Sequence, residues 1–128
     1  MKPTLANSEL AIMDLLWKTE QLTAREIRER LYPDASRAQH GTVQKLLQRL
    51  EEKDFVERDK SQFVHTFTAK TTRKEYAGGQ LQSLASKLTS GSIAPLITHL
   101  VETSKISNDD IEEIRSILND YNKKEGPK

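Results

Sequence analysis

The sequence contains no cysteine, which excludes disulfides, thiolate zinc sites and cysteine nucleophiles. No apolar run approaches the ~20 residues that a membrane-spanning helix needs, and the first ten residues lack the apolar core of a signal peptide. We therefore expect a cytoplasmic protein without membrane insertion. The sequence also has no glycine-rich phosphate loop, nucleophile elbow or catalytic carboxylate pair, so we do not expect an enzyme.

Net charge is also nearly absent, at +1 over 128 residues, although 30% of the residues are charged. Any affinity for nucleic acid must therefore come from local clustering of charge. The three histidines, His40, His65 and His99, lie in different predicted elements without ligand spacing, so we predict no metal site and no cofactor. The length allows one compact domain or two small ones.

The most informative stretch runs from Ser36 to Lys53, with a predicted helix over about 39–53. Four apolar residues recur at helical spacing on one side, namely Val43, Leu46, Leu47 and Leu50. The opposite side is polar, and no carboxylate occurs between Asp34 and Glu51. A helix that lies in a DNA major groove needs this combination, since base edges are read by donors and acceptors while acidic groups repel phosphate. An ordinary amphipathic surface helix would show the same apolar side.

The neighbouring elements favour the DNA interpretation. Two helices are predicted before this segment, over 8–19 with Asn7 as its N-cap and over 24–31 behind a Thr23–Glu26 capping box. After it, the alternating runs 55–59 and 63–68 predict a β-hairpin around a turn at 60–62, packed on the helices through Phe55, Val64 and Phe67. Three helices and a hairpin make a winged helix-turn-helix, so 39–53 becomes the recognition helix and 58–64 the wing.

Residues 71–128 return to helical spacing but contain neither Phe nor Trp. Helices are predicted over 73–89, from the segment Ser92-Ile-Ala-Pro95 to about Thr103, and over 108–122, with no large core of their own. A second copy of the chain would cover their apolar sides, because dimers bury such surfaces symmetrically; folding back onto the winged helix is the alternative. We thus predict a mainly α fold with a small β-hairpin: a winged helix-turn-helix DNA-binding domain (1–70) and a helical dimerisation domain (71–128). The dimerisation residues expected are Leu84, Leu88, Ile97, Leu100, Ile111, Ile114 and Leu118.

The sequence from about Leu5 to Asn122 resembles the penicillinase and methicillin-resistance repressor family (BlaI/MecI type). Three pieces carry the resemblance: the spacing of Glu9, Met13 and Trp17, the Arg49-Leu50…Lys53 helix end, and the run SNDDIEEIRSILN in the last helix. The resemblance implies a homodimeric bacterial transcriptional repressor of antibiotic-resistance genes that binds a dyad-symmetric, double-stranded operator. It also implies release by a regulatory protease, activated downstream of a membrane sensor, that cuts within the dimerisation domain.

The sequence departs from the family pattern at three places. The Asn-Phe cleavage dipeptide aligns with His99 and Leu100 here, so these are the candidate cleavage positions without the matching residue types. Asp54 replaces the glycine that usually follows the recognition helix, at the position where a residue in the left-handed region would end the helix. The recognition segment QHGTVQK also differs, so no operator sequence carries over. A related copper-responsive branch is excluded because its metal motif requires cysteine.

Under the family interpretation, Gln44 and Lys45 would contact base edges, where Gln suits adenine and Lys suits guanine. For Lys45, contact with phosphate alone is an equal alternative. Thr42 and Arg49 would support them through bases or phosphates, and Arg58 and Lys60 of the wing would contact phosphates. Arg37 and His40 near the start of the helix complete the predicted DNA-binding set. The rival interpretation is a winged-helix adaptor module whose third helix docks protein without sequence-specific DNA binding, which the near-zero net charge favours.

Overall fold

The computed structural model describes residues 3–34 and 38–125. The described residues form helices and strands in the order α1 (Asn7–Lys18), β1 (Leu22–Thr23), α2 (Ala24–Leu31), α3 (Ala38–Glu52), β2 (Val56–Asp59), β3 (Thr66–Ala69), α4 (Arg73–Leu88), α5 (Ala94–Glu102) and α6 (Asn108–Glu125). The mainly α fold and the winged helix-turn-helix order predicted from the sequence are confirmed. The predicted bounds of the helices agree with these to within a few residues.

Local side-chain chemistry explains where the first helices begin. At α2 the predicted capping box is confirmed: the Glu26 amide donates to Thr23 Oγ1 at 3.1 Å, and the Thr23 amide donates to Glu26 Oε1 at 2.9 Å. At α1 the predicted N-cap was wrong. Ala6 holds that position instead of Asn7, and its amide donates to Glu9 Oε1 at 2.9 Å. Glu9 can reach back in this way because it occupies the third helical position.

The recognition helix ends with a residue in the left-handed region, as its sequence suggested. Asp54 has a φ of 69°, and the Phe55 amide donates to the Leu50 carbonyl at 2.9 Å. Asp can adopt this conformation, although glycine adopts it at lower cost. The chain thereby turns directly from α3 into β2.

The hairpin differs from its prediction in two ways. The sheet has three antiparallel strands in the order β1-β3-β2, because the short β1 pairs with the free edge of β3. In addition, the last pair of the hairpin joins Asp59 to Thr66, so the intervening loop is six residues long. We call residues 60–65 the wing loop. Val64 lies in this loop and is exposed, so its predicted packing on the helices was wrong, whereas Phe55 and Phe67 are buried as expected.

One apolar core holds the first six elements together. It contains the inward side chains of α1, α2, α3 and the sheet, with Ile12, Ile27, Leu47 and Phe55 fully buried. Burial of each such side chain is worth roughly 1.5–3 kcal/mol. Trp17 is half-buried at the rim, where its indole N–H donates to the Thr71 carbonyl at 2.8 Å.

The chain divides into two compact units, one up to Leu81 and one from Gln82 onward, so the boundary lies inside α4. Among the described residues of the second unit, Ala85 is the only buried apolar side chain. No helix in the described part of the chain is long and apolar enough to cross a bilayer.

Candidate nucleic-acid interface

Helix α3 is divided sharply between a buried and an exposed side. Val43, Leu46, Leu47 and Leu50 are buried in the core, as their spacing predicted. The opposite side is exposed to solvent, and we call five of its polar residues the recognition face: Thr42, Gln44, Lys45, Gln48 and Arg49. This face therefore offers hydrogen-bond donors and acceptors that the fold itself does not need for its core.

The recognition face carries two cations that are not held in ion pairs within the described residues, although the charge of Arg49 contributes to lowering the pKa of the Glu9 carboxyl. Lys45 and Arg49 form no ion pair with any described side chain. The nearest acidic residues in sequence, Glu51 and Glu52, lie at the end of α3, where Glu51 pairs with the wing. Up to Arg49 the exposed side of the helix can therefore approach a phosphate backbone without a carboxylate against it, whereas the exposed Glu52 lies one turn beyond Gln48.

His40 and Gln44 form a contact at the start of the same helix. Gln44 Nε2 lies 3.0 Å from His40 Nε2 and donates to it, which requires the neutral imidazole to carry its proton on Nδ1. The Nδ1 atom of His40 is buried without a hydrogen-bond partner among the described residues. Gln44 is thus held by a neighbour one turn away, which limits the rotamers from which it can reach a base. Arg37, the other residue predicted at this end, lies outside the described residues.

The wing cation Arg58 is engaged within the fold. Its Nε and Nη2 atoms donate to Glu51 Oε1 at 3.0 and 2.6 Å, and its guanidinium lies 4.8 Å above the Phe67 ring. Its Nη1 atom also lies 3.4 Å from His65 Nδ1. Arg58 therefore ties the wing to the end of α3, and it would have to leave Glu51 in order to bind a phosphate.

The wing loop begins with a turn organised by Asp59. The Ser61 amide donates to Asp59 Oδ1 at 2.8 Å, and the hydrogen bonds from the Ser61 side chain and amide lower the pKa of the Asp59 carboxyl. Lys60 is exposed and has no ion pair with a described residue, so its ammonium group is available for a phosphate. Asp59 keeps a negative charge beside it, which reduces the local positive potential.

Sequence reasoning missed the ion pair that holds the end of α3. Lys53 Nζ donates to both carboxylate oxygens of Glu9 at 2.9 Å, and Glu9 is only 2% exposed. Burial raises the pKa of the Glu9 carboxyl, but the hydrogen bonds from Lys53 and Ala6 outweigh this effect, so the pKa lies below its ordinary value. Glu9 and Lys53 belong to two of the motifs that carry the family resemblance, and this was the signal in the sequence that could have pointed to the ion pair.

A groove of about 210 Å³ lies between α3 and the wing. His40 and Gln44 line it from α3, and Phe63, Val64 and His65 line it from the wing loop. Two histidines from distant elements thus border one groove, which sequence spacing did not show. The described residues contain no group of three or more His, Asp or Glu side chains placed to hold a metal ion.

The second unit exposes four of the seven apolar residues predicted for dimerisation. Leu84, Leu88, Leu100 and Leu118 are exposed, whereas Ile97, Ile111 and Ile114 are half-buried. Four further exposed apolar residues were not in the predicted set: Ile93, Val101, Ile117 and Tyr121. So much exposed apolar surface in one small unit is typical of an interface with another chain.

The candidate cleavage positions lie in the last part of α5. The carbonyl of His99 accepts the Thr103 amide at 3.0 Å, and the carbonyl of Leu100 accepts the Lys105 amide at 2.9 Å. Both side chains are exposed. A protease that needs an extended substrate would therefore have to unwind this turn first.

Comparison with known proteins places the chain among repressors. The family described as "Penicillinase repressor" matches residues 5–120. The chain is 25% identical over 122 residues to the penicillinase repressor of Staphylococcus aureus, with 94% of both chains covered. It is 24% identical over 115 residues to the methicillin resistance regulatory protein MecI of Staphylococcus aureus strain N315, with 90% of this chain and 93% of that protein covered. A solution structure of the DNA-binding domain of the repressor BlaI aligns with a TM-score of 0.49 and 22% identity, over 59% of this chain and 92% of that one.

Proposed function

The chain belongs to the penicillinase repressor family, and we propose that it is a dimeric transcriptional repressor that binds a dyad-symmetric, double-stranded operator. Membership of a repressor family makes it a regulator rather than an enzyme. The single observation that carries the proposal is the recognition face, which is polar, free of carboxylates and exposed while the back of the same helix is buried. Such a helix can enter a major groove without disturbing the core.

Each residue of the predicted site has a proposed role. Gln44 and Lys45 would hydrogen-bond to base edges, and Thr42 and Arg49 would support them from the flanks of α3. Lys60 would bind a phosphate beside the wing, where its ammonium group is exposed. His40 would act through Gln44, since their side chains are in contact. Arg37 and Arg58 would add phosphate contacts. Arg58 would first have to break its ion pair with Glu51.

A homodimer would explain the apolar surface of the second unit. The exposed side chains of α5 and α6 lose contact with water if two copies of the unit pair through them. Two paired chains would then carry two recognition helices, which suits an operator with two half-sites about one helical turn apart.

Release from the operator is proposed to follow proteolysis in the second unit, by a regulatory protease that responds to a membrane sensor. His99 and Leu100 are the candidate positions because they align with the family's cleavage dipeptide. Their helical backbone supports a requirement for local unwinding before cleavage. Since the residue types differ from Asn-Phe, a protease of different specificity is required.

The second candidate function is a protein-docking adaptor, favoured by the net charge of only +1. The experiment that separates the two is titration of a labelled promoter fragment from upstream of the gene at two salt concentrations, with a shuffled fragment as control. The repressor proposal requires tighter binding to the promoter at both concentrations, with affinity falling as salt rises. Weak binding to both fragments without preference would favour the adaptor.

A further inference from the structure

Phe63 is the most exposed large apolar side chain of the first unit. It lies in the wing loop and is fully exposed, and its neighbour Val64 is 57% exposed. The other two phenylalanines, Phe55 and Phe67, are both buried in the core. Leaving a whole aromatic ring in water forgoes the free energy that its burial would release. This ring is therefore a candidate for contact with another molecule.

The position of Phe63 relates it to the recognition face. Phe63 and Val64 line the same groove as His40 and Gln44 of α3. The apolar part of the wing loop thus borders the surface that is proposed to meet DNA. A duplex with α3 in its major groove would pass the wing loop next, where the adjacent minor groove lies.

Among the described residues, no free cation takes this place: Lys60 does not line the groove, and Arg25, which does, is paired with Glu29. Arg58 is held by Glu51 and by the Phe67 ring, and Asp59 binds the Ser61 amide at the start of the loop. Phe63 and Val64 are therefore the exposed apolar side chains among those that line the groove with Gln44. Proteins that use such side chains in the minor groove insert them as wedges between base steps and kink the duplex.

We propose that Phe63, supported by Val64, enters the minor groove beside each half-site and partly unstacks one base step. The occupant is duplex DNA, so this inference rests on the proposed function. It adds a specificity determinant outside the reach of α3, because pyrimidine–purine steps such as TA and CA unstack more easily than others. The operator would then favour a flexible step at a fixed distance from the bases that Gln44 and Lys45 contact.

The test compares the full-length wild type with Phe63→Ala and Phe63→Leu. Duplexes carry 2-aminopurine, whose fluorescence rises on unstacking, at successive positions beside the half-site. We expect the wild type to raise the signal at one step, Phe63→Leu to keep most of it, and Phe63→Ala to lose it together with about tenfold in affinity. The salt dependence of binding should not change, since no charge is removed.

Three outcomes would overturn the inference. If Phe63→Ala keeps the sequence preference, the fluorescence signal and the affinity of the wild type, this inference alone is overturned. A change in the association state of the free protein in Phe63→Ala, seen by sedimentation velocity, would assign the ring to contact between copies of the chain. If the wild type shows no sequence preference on any duplex, the proposed function fails and takes the inference with it.

Discussion

The ammonium nitrogen of Lys53 lies 2.9 Å from both carboxylate oxygens of Glu9, and this contact joins the end of α3 to the first turn of α1. Glu9 also accepts the Ala6 amide, so one buried carboxylate caps one helix and holds another. The direction of the recognition helix therefore depends on a residue 44 positions earlier in the chain.

Removing the Glu9 charge should destabilise the first unit. We predict that Glu9→Gln lowers the free energy of unfolding by about 2 kcal/mol, because Lys53 loses its partner. The effect stays below the roughly 3–5 kcal/mol typical of fully buried pairs, since the Lys53 side chain is 31% exposed. Urea denaturation measures it. Glu29→Gln, which breaks the exposed pair with Arg25, is the matched control and should change stability by less than about 1 kcal/mol. Equal effects in the two variants would contradict the conclusion that the Glu9–Lys53 pair stabilises the first unit.

The same pair predicts a dependence of stability on pH. Because folding lowers the pKa of the Glu9 carboxyl, its contribution is complete above the unfolded pKa of about 4.3 and is lost as pH falls through the folded pKa. The difference in urea midpoint between the wild type and Glu9→Gln should therefore shrink below about pH 4. Measurement at intervals from pH 7 to pH 3 checks this, and a difference that stays constant to pH 3 would exclude the proposed ionisation.

The two wing cations should behave differently when they are removed. Lys60→Ala is expected to reduce the slope of log affinity against log salt by about one unit for each lost phosphate contact, with no change in folding stability. Arg58→Ala should also lower stability, because its guanidinium binds Glu51 and covers Phe67. Lys74→Ala removes an exposed lysine of α4 and serves as the control for charge alone. A Lys60→Ala slope equal to that of the wild type would remove Lys60 from the interface.

A charge placed on the apolar surface of the second unit should separate the dimer. Leu118 is 57% exposed, so Leu118→Asp should leave each chain folded while opposing burial of this surface. Sedimentation velocity should then find a 14.6 kDa particle in place of the wild-type dimer. Phe63→Asp adds the same charge to an exposed apolar residue of the wing and should leave the dimer intact. A wild type that already sediments as a single chain would refute the dimer.

Local sequence patterns predicted much of this fold for physical reasons. The Thr23–Glu26 box and the apolar spacing of α3 act within one or two helical turns, so the sequence alone shows them. The left-handed Asp54 was also expected from its position after the helix. The order of elements and the exposure of the recognition face follow from these local signals.

Contacts between distant residues could not be predicted in the same way. The strand β1 is two residues long and exists only because β3 offers an unpaired edge. The length of the wing loop depends on the pairing of Asp59 with Thr66. The alternation of apolar residues did not determine this pairing, which places Val64 in the loop and outside the core. The ion pair of Arg58 with Glu51 could likewise not be predicted from the sequence, because the two residues lie in different elements.

The central claim is that the outward side of α3 lies against base edges. Methylation protection of guanine N7 on a bound promoter fragment tests it most directly, with the wild type compared with Lys45→Ala. We predict that the wild type protects guanines in two clusters about one helical turn apart, and that Lys45→Ala remains dimeric but loses this protection and roughly 1–3 kcal/mol of discrimination. Unchanged protection and affinity in Lys45→Ala, or no protected guanine with the wild type, would contradict the claim.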